Sequence, residues 1–195
     1  MVKKLVHNPF FNSQRLLPLV ALTVGLALPI TLAVPARTTQ LTDGRTAFDH
    51  APRLVRTASS FHEADAPSTY QFTLMVPANA GASLQAVRIV QDPNPTLVNF
   101  DMGRTHAFRG NSFAGGPAVS LANVGGEKPT DSNEVMVVFD PPIAPGETVT
   151  VSLETDRNPR AAGAYHFGVT AFPTGENSPG LFLGYGRVEL FENAR

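Results

Sequence analysis

Proline and glycine recur so evenly along this chain that no long helix fits between them. The 195 residues include 17 prolines and 16 glycines. They fall at intervals of about ten residues between short apolar stretches, which is the signature of a β-sandwich or barrel. Proline withholds a backbone donor and glycine admits the positive φ of tight turns, so both end regular elements. No stretch after residue 36 carries a helical period.

The intervening stretches read as strands. Tyr70 to Val76 alternates, with Tyr70, Phe72, Leu74 and Val76 on one face. Pro77 to Gly81 supplies a turn, and Leu84 to Gln91 follows with Val87 and Ile89 inward. Asp92-Pro93-Asn94-Pro95 breaks it. Leu97 to Phe100 and Thr105 to Phe108 are short strand candidates, and Gly110 to Pro117 is a glycine-rich loop. Val135 to Phe139 is continuously apolar, as a central strand covered on both faces should be. A rigid connection, Asp140 to Gly146, leads into the alternating Thr148 to Leu153. Tyr165 to Phe172 and Leu181 to Phe191 read as two closing strands, and Gly44 to Phe48 adds a first. The expected fold is all-β, an immunoglobulin-like β-sandwich of roughly seven to nine strands.

The N-terminus predicts an exported protein. Lys3, Lys4 and Arg15 form a basic region ahead of an apolar run from Leu16 to Val34. The run ends at Val34-Pro35-Ala36, with small side chains where a signal peptidase reads them. The expected signal peptide is residues 1–36 and the expected single domain is residues 37–195. An uncleaved membrane anchor is the alternative, since the 19 residues from Leu16 to Val34 approach the ~20 that span a bilayer. The expected compartment is the periplasm or cell envelope, with the thylakoid lumen and the exterior as alternatives. No cysteine is present, which excludes disulfides, thiolate metal sites and thiol catalysis.

Losing Lys3, Lys4 and Arg15 leaves 12 cations against 16 carboxylates, a net charge of −4. No basic face accompanies it, so nucleic acid is not an expected partner. Membrane contact is expected only through the N-terminal segment, and then only if that segment stays uncleaved.

Several blocks carry a family resemblance. The most specific is RNPRAAGAYHFGVTAFPTGENSPGLFLGYGR, from Arg157 to Arg187; APRLV (51–55), FTLMVPANAG (72–81) and VVFDPPIAPGETVTV (137–151) fit the same pattern. Together they resemble a cyanobacterial family of exported proteins known only as a domain of unknown function, over about Leu41 to Phe191. The resemblance implies a small extracytoplasmic β-domain in a cyanobacterial envelope. It implies no activity and no catalytic residues.

Candidate chemistry is sparse. In Arg157-Asn158-Pro159-Arg160 two guanidinium groups flank a turn, an arrangement suited to a carboxylate, sulfate or sugar acid. The plainer reading pairs Arg157 and Arg160 with Asp156, Glu154 or Glu176 to brace the corner. Tyr165, Phe167 and Val169 alternate inward, which leaves His166, Gly168 and Thr170 on the other face and makes His166 a surface candidate. The C-terminal strands are also rich in aromatics, including Phe172 and Tyr185, which stack on sugars or grip partners.

Metal binding rests on His50, His62, His106 and His166, which show no motif spacing. No serine has a nucleophile-elbow context, and the glycine pairs open no helix. No cofactor and no enzymatic activity are therefore expected. The reading is a non-catalytic exported module that binds an envelope protein or glycan. Its expected surface is the Arg157–Arg160 corner with the Gly110–Pro117 and Thr174–Pro179 loops at one end of the sandwich. A periplasmic carrier of a small ligand or copper is the alternative.

Overall fold

The computed structural model of the chain describes residues 39–40, 45–93, 96–113, 115–125 and 133–192. The export segment expected over residues 1–36 lies outside them. Among the described residues there is no helix, and none long and apolar enough to cross a membrane.

Two strands, β1 (Thr39–Gln40) and β2 (Thr46–Ala47), form a small ribbon. The rest is a sandwich of two five-stranded antiparallel sheets. The first sheet has the order β3 (Arg53–Ser59), β4 (Ser68–Met75), β10 (Thr148–Thr155), β6 (Asp101–Arg109), β7 (Ala118–Val119). The second has the order β12 (Leu181–Leu190), β11 (Gly163–Pro173), β5 (Leu84–Gln91), β9 (Glu134–Ile143), β8 (Leu121–Val124). The chain passes between sheets from β4 to β5, β5 to β6, β9 to β10 and β10 to β11, as in immunoglobulin-like folds. β7 and β8 are one segment broken at Ser120, whose halves pair with different sheets. Counted as one, they bring the sandwich to nine strand segments, within the expected range.

Alternation builds the core as expected. Tyr70, Phe72 and Leu74 on β4 face Tyr165, Phe167 and Val169 on β11, and all six are fully buried. The rings of Phe72 and Tyr70 meet Phe167 edge-on at 5.4 and 5.7 Å, and Phe100 meets Tyr70 at 5.2 Å. Burial and, second, the Tyr165 phenol push the Tyr70 phenol well above the ordinary tyrosine range.

Two expectations change. Leu97 to Phe100 is not a strand. The Gln91 side chain accepts from Val98 N at 2.8 Å and donates to Thr96 O at 2.6 Å, which ties this segment down as a loop. The predicted Thr105–Phe108 strand instead runs the full length of β6. Val135 to Phe139 is covered on one face only. Val135, Val137 and Phe139 are buried, while Met136 and Val138 remain half-buried because no layer covers the outer face of β9.

Candidate functional site

The Arg157–Arg160 corner connects β10 to β11, and Asn158 holds it in place. Asn158 is 2% exposed. Its Oδ1 accepts from the Tyr70 hydroxyl at 2.7 Å, and its Nδ2 donates to Phe61 O at 3.1 Å and Glu63 O at 3.0 Å. Both amide hydrogens are thereby spent inside the fold. Arg157 and Arg160 remain exposed, and both turn toward Asp65, at 3.2 and 3.7 Å. Asp65 is therefore the brace, in place of Glu154, Asp156 or Glu176. Glu154 and Asp156 are drawn to Arg104 on the neighbouring strand, at 3.5 and 2.5 Å. Asp101 joins the same guanidinium at 2.7 Å; that bond, and then the Gly103 N–H, hold its carboxyl below the usual range.

The three expected contact loops do not share one end. Thr174 N bonds to Ser83 O beyond the Pro173 end of β11, whereas the Arg157–Arg160 corner precedes its Gly163 end. The Gly110–Pro117 loop folds over the outer face of the first sheet. There Gln71 Nε2 donates to Phe113 O at 3.1 Å and Thr150 Oγ1 to Gly110 O at 2.8 Å, above a buried Thr73–Thr150 hydroxyl pair.

The histidines are dispersed. His50 Nδ1 lies 2.9 Å from Asn79 O and His62 Nδ1 2.7 Å from Glu189 O, each in its own loop. His106 stands on β6 and His166 on β11, in different sheets. Among the described residues no three His, Cys, Asp or Glu side chains gather as a metal centre would require.

A different surface emerges on the outer face of β11 and β12. Phe182 and Tyr185 are 54% and 61% exposed, and their rings meet edge-on at 5.2 Å. Three residues apart, they should face opposite ways on a regular strand. A bulge resolves this. Thr170 pairs with Phe182 and Gly168 with Tyr185, leaving an extra residue between them, and Gly184 takes a φ of 118° that only glycine adopts readily. Gly168 lets the rings lie close to the sheet, since a Cβ there would come within 3.3 Å of Phe182 and 3.4 Å of Tyr185. His166 is on the same face, in register with Arg187. His166, two residues before Gly168 on β11, thus shares this face with the aromatic pair.

Beyond Tyr185 the edge of β12 meets the edge of β3. Gly186 makes the approach possible, because a Cβ there would stand 2.9 Å from Thr57 Cβ. A cleft of about 210 Å³ opens between the edges, lined by Arg56, Thr57, Tyr185 and Arg187 among others. The sequence reading missed Phe182, Arg56 and Arg187, because a bulge and an inter-sheet seam leave no periodic signal. The only local hint was the Gly184-Tyr185-Gly186 pattern.

No curated protein matches the chain. Among solved structures, an uncharacterised immunoglobulin-like protein from Nocardia farcinica is similar, with 12% identity and a TM-score of 0.43 over 69% of this chain and 96% of that one. The major pilin SpaD of Corynebacterium diphtheriae aligns with 12% identity and a TM-score of 0.42 over 73% of this chain, which spans only 33% of the pilin. A collagen-binding domain from a Staphylococcus aureus adhesin aligns with 8% identity and a TM-score of 0.36 over 69% of this chain and 95% of that domain. Residues 45–190 match the family described as "Protein of unknown function (DUF2808)", within the span that carried the resemblance in the sequence. The chain belongs to the DUF2808 family.

Proposed function

We propose that this chain is an exported, non-catalytic module of a cyanobacterial envelope that binds a glycan through the outer face of β11 and β12. One observation carries the reading: two large rings, Phe182 and Tyr185, stand more than half exposed, edge to face, on one face of the β11–β12 pair. Exposed aromatic side chains cost hydration, and scattered single ones need no explanation. A ring pair flanked by hydrogen-bonding groups is a different case. Sugar rings offer C–H faces to aromatic planes and hydroxyls to polar neighbours, and His166 and Arg187 supply such neighbours here. The sheet holds both rings in place before a ligand arrives, so little rotamer freedom is lost on binding. Export is supported by the basic and apolar N-terminus and its small-residue cleavage motif.

The test is titration of the full-length protein with neutral and charged oligosaccharides, followed by calorimetry. Phe182→Ala and Tyr185→Ala should each weaken binding about fivefold to tenfold. Unchanged affinity in both variants would remove the aromatic face from the mechanism.

A further inference from the structure

We infer that the cleft between β3 and β12 receives a carboxylate, and that the glycan bound by the aromatic pair is therefore uronate-bearing. The inference rests on the reading above and specifies its ligand. Tyr185 links the two features: its ring is half of the aromatic pair, and it also lines the cleft. A cleft of about 210 Å³ is below the ~300–1,000 Å³ of sites that enclose a whole small molecule. It suits a substituent of a larger chain whose ring lies elsewhere.

The cleft's chemistry is cationic. Arg56 and Arg187 both line it. Arg56 Nε and Nη2 are shielded from solvent and have no hydrogen-bond partner, and the same holds for the Thr57 hydroxyl. Such donors are costly to leave unmet. Nε and Nη2 form the side of the guanidinium fork that takes the two oxygens of a carboxylate in parallel. Among the described residues Arg56 makes no ion pair, while Arg187 reaches Glu189 at 3.2 Å. Glu189 is the only carboxylate that the cleft's two arginines engage there. The chain after residue 36 is net negative, so attraction for an acidic sugar must be local to this seam rather than a property of the whole surface.

The experiment measures binding of the full-length protein to three probes: oligogalacturonate, dextran sulfate and neutral dextran of matched length. Oligogalacturonate should bind about tenfold tighter than neutral dextran. Arg56→Gln should erase that preference while leaving neutral binding in place. Arg187→Gln, on the exposed rim, should reduce it in the same direction, and unchanged melting temperatures would show that both variants fold. Equal affinity for acidic and neutral probes would overturn the inference and leave the aromatic reading standing. Preference for the sulfated probe alone would overturn the carboxylate assignment. Binding to none of the three would overturn both readings.

Discussion

Asn158 Oδ1 accepts the Tyr70 phenol hydrogen while Nδ2 donates to two carbonyls, so one side chain joins β4, the segment after β3 and the corner before β11. From sequence, Asn-Pro indicates a turn, and a turn asparagine is ordinarily solvated. Its burial depends on Tyr70, 88 positions away in the chain, and no local pattern encodes that contact. Asn158→Ala leaves the buried Tyr70 hydroxyl without its acceptor and takes a donor from Glu63 O, while Phe61 O keeps the Ser59 and Ser68 hydroxyls, so it should cost about 2 kcal/mol in urea unfolding. Asn158→Asp should cost at least as much at neutral pH, because a carboxylate cannot donate to Phe61 O or Glu63 O. Burial would raise the pKa of that carboxyl, so the deficit should shrink as pH falls and a donor returns. A loss below about 1 kcal/mol for Ala would show that the corner is held by other contacts.

At the scale of elements, β12 shows how two glycines place side chains that alternation alone would misplace. Gly184 takes up the bulge that brings Phe182 and Tyr185 to one face. Gly186 leaves room for Thr57 on the facing edge of β3. Gly186→Ala should therefore destabilise the fold by about 1–3 kcal/mol, as overpacking does. Thr57→Ala in the same chain should recover part of that loss, because it removes the hydroxyl and the methyl that the new Cβ would strike. Thermal melts of the two single variants and the double variant would give the coupling; additive losses would show that the two edges do not touch. The strand itself was legible from its aromatic and apolar residues. The facing of its side chains was not, because the alternation rule assumes an unbroken register.

For the whole molecule, the separation of the loops matters most. Gly163, where the arginine corner feeds β11, lies five residues from Gly168 beneath the aromatic pair, about 17 Å along an extended strand. A ligand seated on Phe182 and Tyr185 has no need of Arg157 or Arg160, which Asp65 already engages. The Arg157→Ala, Arg160→Ala double variant should keep its oligosaccharide affinity within about twofold, in line with the small worth of exposed ion pairs. A tenfold loss in the same calorimetric titration would return the binding surface to the corner. The sequence by itself determined the fold class and the inward faces of β4, β5 and β11. Those follow from period-two burial and from turn residues, both local properties of the chain. Only the tertiary structure decided which loops share an end, which amide is buried and where two edges meet. Each of these depends on the sheet partner of a residue, and such pairings join positions far apart in the chain through contacts that no short window of sequence contains.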